Sequence, residues 1–484
     1  MRKALAPASA LVLASCTVGP DYRPPAASVP QHYAKAEAAP ALTDSELGSW
    51  WTRFNDRQLD RLINEALAQN LDIEEAAARI REARAREVVA GAAAEPQVDA
   101  QGSAARQRIS EHAIPLPPGG GNSGSGSFAL PGTEFSSFRI GFDASWEIDL
   151  FGHTRRSVEA ARARTGAAIW DRRDLEVSAA AEVARAYFTL REVQASIAIA
   201  RAELSRQQRF EQLVSARARG GLVTGQDLEQ QRSERATAAA AIPALEAQAE
   251  AQVHALGVLT GKTPEALGQD LSASAPLPSP VPSVPAGLPS ELLRRRPDIR
   301  AAERELAASN ADIGAAIADL YPRFSLTAAP ALVSTALASL LEWGSRSYSV
   351  GASLDWPIFN GHRGRANVAI ADARQAQALI AYRKTVLDAL KDVEDALSHT
   401  QADRNALDEL GAALGSAARA EAIARTRYSG GLVTYSDVLV AQARRIRLED
   451  QVIDTKGALA RDTAALFKAL GGGWPELAQG GAQP

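Results

Sequence analysis

The chain has 484 residues, with 53 Lys and Arg against 57 Asp and Glu, so it lacks the basic surplus that a nucleic-acid partner demands. Aromatics make up only 5 %, which excludes a large aromatic core, whereas the helix formers Ala, Arg, Glu and Gln are abundant. The length exceeds what one ordinary globular core holds.

Residues 1–15 read as a signal peptide. Arg2 and Lys3 form a basic start, and residues 4–14 form a weakly apolar stretch too short to cross a bilayer as a helix. Leu13-Ala14-Ser15-Cys16 has the form of a lipobox, which marks Cys16 for lipidation as the new N-terminus. Cys16 is the sole Cys, so no disulfide forms within the chain. Several acyl chains would make a durable anchor. Without Arg2 and Lys3 the charges are 51 against 57, a net of −6. In bacterial lipoproteins, which this start resembles, Asp after the Cys favours inner-membrane retention; Thr17 points outward instead. Residues 16–57 are then a lipidated, extended N-terminal segment.

The rest is a tandem duplication. Gly220-Gly221-Leu222-Val223-Thr224 recurs as Gly430-Gly431-Leu432-Val433-Thr434, with Asp227 falling on Asp437, Gly141 on Gly351 and Trp146 on Trp356. Asp72-Ile73 falls on Asp298-Ile299, and Pro96 on Pro322. The two offsets differ by an enlarged Gly-, Ser- and Pro-rich loop around residues 115–131 of the first copy. The first repeat covers 58–260, with strands at about 97–107 and 138–150 and a tip at 220–227. A Pro-rich linker and equatorial segment covers 261–296. The second repeat covers 297–470, with strands at about 323–333 and 348–358 and a tip at 430–437, and a tail covers 471–484.

Residues 138–150 alternate throughout: Phe138, Ile140, Phe142, Ala144, Trp146, Ile148 and Leu150 share one face, and polar residues and Gly share the other. Residues 348–358 repeat the pattern. Spanning β-strands need roughly 9–11 residues, and Trp146 and Trp356 near the strand ends suit an aromatic belt at a membrane interface. Four strands cannot close a barrel, since the smallest have about eight, and an open edge cannot face lipid. Other subunits must complete the sheet, and three chains would supply twelve strands.

Residues 154–219 contain no Pro, and Gly166 alone interrupts them; 363–429 is the repeat of this stretch. Val183, Leu190, Ile197 and Leu204 recur every seven residues, as do Val393, Thr400, Leu407 and Leu414, a period of coiled-coil packing. Pro243 is expected to kink or split the helix that follows the first tip. At the tips Gly supplies the left-handed cap, and Thr224 and Thr434 begin capping boxes that Asp227 and Asp437 complete. If tips gather on an axis, Asp437 forms an acidic ring that favours cations. Gly221, Leu222, Val223 and Thr224, with Gly431, Leu432, Val433 and Thr434, make an apolar docking surface for a partner.

Cys16-Thr17-Val18-Gly19-Pro20-Asp21-Tyr22, Trp50-Trp51-Thr52-Arg53-Phe54, residues 66–72 and Arg295-Arg296-Pro297-Asp298-Ile299-Arg300-Ala301-Ala302-Glu303 together resemble the TolC/OprM-like outer membrane factors, in particular the NodT-type lipoproteins. The resemblance covers nearly the whole chain. It implies a mainly α fold with a transmembrane β part: a tandem-duplicated protomer of a homotrimer, with a 12-stranded β-barrel joined to a long 12-helix α-barrel and an equatorial mixed domain. It also implies an efflux channel for drugs or other small toxic compounds, lipid-anchored in the outer membrane, with a periplasmic adaptor and an inner-membrane RND transporter as partners. A periplasmic gate follows in which Tyr428 bonds Asp227, Gln226 lacks its usual Arg partner because Val433 stands there, Asp437 constricts the pore, and Val440 replaces a further acidic residue. No cofactor other than the lipid on Cys16 is implied. A duct for type I protein secretion and a poreless structural lipoprotein are the alternatives. The six His lack metal-ligand spacing, no phosphate loop or nucleophile elbow is evident, and neither a metal site nor catalytic residues are expected.

Overall fold

The computed structural model describes residues 17–26, 29–35, 42–108, 134–279 and 281–474. Cys16, the signal peptide, the 115–131 loop and the tail beyond 474 lie outside the described residues. The chain is mainly helical with one sheet. Short α1 (Asp44–Gly48) is followed by α2 (Arg57–Gln69), α3 (Leu71–Ala92), β1 (Gln97–Arg108), β2 (Glu134–Ile148), α4 (His153–Arg219) and α5 (Gly225–Leu259). After α6 (Gly268–Leu271) and α7 (Pro289–Arg295) come α8 (Pro297–Ala318), β3 (Arg323–Ala328), β4 (Ala331–Ser334), β5 (Arg346–Ser347), β6 (Val350–Asp355), α9 (Arg363–Ser429) and α10 (Tyr435–Ala469). The duplication is residue for residue: α4 and α9 both have 67 residues, α5 and α10 both have 35, and α3 and α8 both have 22. No described helix is long and apolar enough to cross a membrane.

Two compact units form. The first comprises residues up to Pro24, Ala83–Thr165 and Leu306–Ala378, and it holds the sheet. β2 is its centre. Along one side it pairs antiparallel with all of β1, from Gln97 opposite Ser145 to Arg108 opposite Glu134. Along the other it pairs with β3 and then β4, which in turn pair with β6 and β5. The strand expected over 323–333 is broken at Pro330, which has no N–H for the ladder; its carbonyl accepts from Phe142 N at 2.9 Å. Gly141 sits at this break, where a Cβ would come within 2.5 Å of Ala331 Cβ. The strand expected over 348–358 ends at Asp355, just before Trp356-Pro357. β2 starts four residues before the apolar alternation, because its polar residues there still pair with β1. It stops at Ile148, because Asp149 leaves the ladder to accept from Gly152 N and Arg155 N at the head of α4.

The second unit comprises Pro25–Glu82, Gly166–Glu305 and residues from Leu379 onward. The seven-residue stripe forms its seam in part: Val183, Leu190, Ile197, Val393 and Thr400 are buried, whereas Leu204, Leu407 and Leu414, nearer the tips, are half-buried. Trp50 is fully buried and stacks on Phe467 at 5.1 Å, and Phe54 packs on Phe188 at 4.9 Å. The fully buried Arg191 ties α4 to the linker by donating to the Ala273 carbonyl at 2.8 Å, while Gln194 donates to the Leu271 carbonyl at 2.7 Å. At the end of α10, Gly471 and Gly473 take positive φ and deliver Trp474 against Trp170, with the Arg173 guanidinium over both rings. α5 is not split by Pro243: that residue is exposed, so the carbonyl it leaves unbonded one turn earlier can reach water.

A cavity of about 340 Å³ in this unit is lined by Asp174, Arg296, Asp298, Asp392, His399, Asp462 and Lys468. Burial and then the neighbouring Asp298 raise the Asp174 carboxyl to about 6. A carboxyl whose folded pKa is raised contributes most to stability below its unfolded value, and that contribution is lost as pH rises through about 4 to 6. Asp174→Asn is therefore expected to stabilise this unit by about 1–2 kcal/mol at pH 7.5 and to flatten its stability between pH 4 and 6, read by urea unfolding across that range.

Candidate functional site: a two-faced sheet and the hairpin tips

The sheet register keeps two faces apart. On one, Phe142 faces Ala100, Trp146 faces Leu326, Ile148 faces Phe324, and Leu326 faces Ala352. Ile140, Phe142, Trp146, Leu326, Val350 and Leu354 are exposed there, although they are large and apolar. On the other face, Ser145 faces Gln97 and Thr327, and Ser325 faces Ser353 with hydroxyls 2.9 Å apart. Asp99 lies directly opposite Asp143. Arg139, on the same face, pairs with Asp143 at 3.5 Å, so this face is polar and charged where the other is apolar. At the far ends of β1 and β2 the apolar face ends in charge, with Arg106 and Arg108 paired to Glu134 at 3.2 and 3.4 Å.

Trp146 and Trp356 mark the other end of the apolar face, 38 % and 56 % exposed. Each indole N–H donates to the carbonyl two residues beyond the helix that precedes the strands of its own repeat: Trp146 to Ala94 at 2.9 Å and Trp356 to Leu320 at 3.3 Å. The rings are thus fixed in matching poses by matching bonds, an apolar body outside and a polar edge satisfied.

At the tips Gly221 and Gly431 have φ of 70° and 71°, the left-handed cap that Gly adopts without a Cβ penalty. Thr224 N and Oγ1 donate to Asp227 at 2.9 and 2.8 Å, and Thr434 N and Oγ1 to Asp437 at 2.8 and 2.7 Å. The Thr434 hydroxyl, then its N–H, holds the Asp437 carboxyl below its ordinary value. Leu222 and Leu432 project at 77 % and 71 % exposure, Gly221, Thr224, Gly431 and Thr434 are exposed beside them, and Val223 and Val433 are half-buried. Gln226 and Val440 are exposed. The expected Tyr428–Asp227 bond is absent among the described residues. Asp227 is bonded to Thr224, and the Tyr428 ring packs at a tilt against Phe210 and Tyr435, under the Arg217 guanidinium.

Sequence reasoning missed the polar chain behind these tips. Tyr435 is buried, stacks on Phe210 at 4.9 Å and donates its hydroxyl to Gln231. The Gln231 amide donates to Gln207 at 2.7 Å, Gln207 donates to Glu203 at 2.7 Å, and Glu203 accepts from Gln442 and faces Arg445. Arg445 also holds Glu421 and Glu449. Four helices, α4, α5, α9 and α10, are thereby joined by one buried polar line. The available signal was Glu203, Gln207, Phe210 and Val214, which step by three and four along one face of α4 and mix polar with apolar residues on a buried stripe. Tyr435→Phe would strand the buried Gln231 oxygen and is expected to cost about 1–3 kcal/mol in chemical unfolding, whereas Tyr428→Phe, whose hydroxyl bonds nothing among the described residues, should change stability by less than about 0.5 kcal/mol.

Comparison with known proteins accords with this arrangement. A family model described as outer membrane efflux protein matches residues 62–262 and 288–472, one span for each repeat. The cation efflux system protein CusC of Escherichia coli is 31 % identical over 474 residues, spanning 96 % of this chain and 98 % of that one. The probable outer membrane lipoprotein SilC of Salmonella typhimurium is 31 % identical over 477 residues, spanning 98 % and 99 %. The solved outer-membrane channel OprN superposes with a TM-score of 0.82 at 33 % identity, covering 95 % of this chain and all of that one. The chain belongs to the outer membrane efflux protein family and works in efflux at the outer membrane.

Proposed function

We propose that three copies of this chain form one passive exit duct, anchored through lipid on Cys16 and fed by a periplasmic adaptor and an inner-membrane RND transporter. The observation that carries this reading is the sheet with one wet and one greasy face and two open edges. β1 and the β5–β6 line have no outer strand partner among the described residues. Backbone groups left unpaired in lipid cost several kcal/mol each, so a neighbouring copy must supply the missing pairing. Three copies close a ring of twelve strand lines, and the paired helices beyond them would close a twelve-helix barrel. From Phe138 to Ile148 the apolar band is about 35 Å along the strand, or about 25 Å for a strand tilted near 45°, which suits the apolar belt of an outer-membrane barrel.

In this duct the tips form the gate. Asp437 rings the opening, Val440 narrows it further, and Gln226, Asp227 and Tyr428 set how tightly the first tip sits on the second. The exposed Gly-Gly-Leu-Val-Thr turns meet the adaptor. Cargo is a drug or another small toxic compound, and no catalysis is needed, since a duct only has to be open.

The test is reconstitution in a planar bilayer. The wild type should give small, discrete conductance steps, Tyr428→Phe with Asp227→Ala should raise them severalfold, and Asp437→Asn should reduce the preference for cations. Absence of any conductance from correctly folded protein would overturn the duct, and an unchanged closed state in the double variant would remove Tyr428 and Asp227 from the gate.

A further inference from the structure

The duplication makes each repeat a control for the other. In the sheet unit the matched helices differ at four telling positions: Gly152 against His362, Arg156 against Ala366, Asn310 against Arg84, and Gly314 against Val88. The first residue of each pair touches the same object, the N-terminal strap of residues 17–21. The Val18 N–H donates to the Phe151 carbonyl at 3.1 Å. Asn310 Nδ2 donates to the Pro20 carbonyl at 2.9 Å. Arg156, its side chain only 6 % exposed, donates to the carbonyls of Val18 and Gly19 at 3.3 and 3.4 Å and to Asp21 at 2.8 Å, with Glu159 on its own helix as a further acceptor at 2.8 Å. Gly314 has no room for a side chain, because a Cβ there would lie 2.8 Å from Arg156 Cγ, and one on Gly19 would lie 2.4 Å from Gly314 Cα. A Cβ on Gly152 would meet Thr17 at 2.7 Å. Where no strap packs, the counterparts are a His, an Ala, an Arg and an exposed Val.

We propose that Gly152, Arg156, Asn310 and Gly314 form an acceptor site for the strap, and that the docked strap staples α8 to α4 and thereby sets the register of the seam between the repeats. The connectivity gives the staple its leverage. β2 runs straight into α4, and α8 runs straight into β3. The seam they share has two short runs, Ala144–Ile148 against Phe324–Ala328 and Phe138–Gly141 against Ala331–Ser334, and its partners are far apart in sequence. Closing so long a loop for so few ladder bonds is entropically costly, and a strap that already holds both helices together offsets part of that cost. Arg156 enforces the coupling. Docked, its guanidinium bonds Val18, Gly19 and Asp21 of the strap as well as Glu159, so undocking gives up three directed bonds, two of them to backbone carbonyls, for contact with water. If Cys16 carries the lipid as proposed above, it adjoins the strap in sequence, and pull on that lipid would act on the seam.

The test uses the full-length protein in detergent and two readouts, neither of which needs conductance. Chymotrypsin cutting after Tyr22 reports strap docking, and the fraction that runs as a compact band on unheated gels reports the sheet. Gly314→Val, which copies Val88, and Arg156→Ala should each speed cutting at least tenfold and lower the compact fraction, and the two together should add little, since they empty the same site. Val88→Ala should change neither readout. Gly19→Val alters only the strap and should reproduce both effects, so the proposal stays testable if a helix variant fails to fold. Unchanged cutting rates would overturn the acceptor site, and faster cutting with an unaltered compact fraction would overturn the staple.

Discussion

Every backbone N–H and C=O removed from water needs a partner, and this demand organises the molecule. In the sheet, β2 is paired on both sides for most of its length, whereas β1 and the β5–β6 line each keep one side unpaired among the described residues. An edge of this kind invites another chain. The face between those edges carries large apolar side chains that a soluble sheet would bury against a second layer. Edge and face together are what the proposed duct accounts for, with more copies at the sides and hydrocarbon in front. The opposite face, with Asp99, Asp143 and Arg139, is polar and suits the water the proposed duct would hold.

The helical part satisfies the same demand internally, which frees side chains to decide how helices associate. Small and branched residues along α4 and α9 give close apolar contact. Near the tips the stripe becomes polar, and Tyr435, Gln231, Gln207, Glu203, Gln442 and Arg445 replace contact by directed bonds. Apolar packing tolerates small slides, whereas a buried hydrogen-bond line is satisfied in one arrangement and costly in others. The two halves of each hairpin pair are therefore bound by different kinds of force along their length.

Much of this was readable from residue order alone. The duplication, the two-faced strands, the Gly-Gly tips with their Thr–Asp caps and the family were all carried by short-range patterns, because period, capping and turn chemistry are local. The break at Pro330 is local too, since a Pro within an alternating run has no N–H for the ladder. What was not readable depended on contacts across sequence. Tyr435 aligns with Gly225, which marks it as different without showing that it would reach Gln231. The packing of Tyr428 on Phe210 and Tyr435 likewise joins residues far apart in sequence. Pro243 looked disruptive because its exposure was unknown.

The equal lengths of the paired helices have an evolutionary consequence. A residue inserted into α4 alone would rotate everything beyond it by about 100° relative to its counterpart in α9 and carry its buried stripe off the seam. Length in this chain is thus a shared property of two segments, and it can change only by paired events or by whole heptads. The 115–131 stretch, where the first repeat carries its additional residues, is under no such constraint. Relatives of this chain should differ freely in the size of that loop and hardly at all in the distance from strand end to tip.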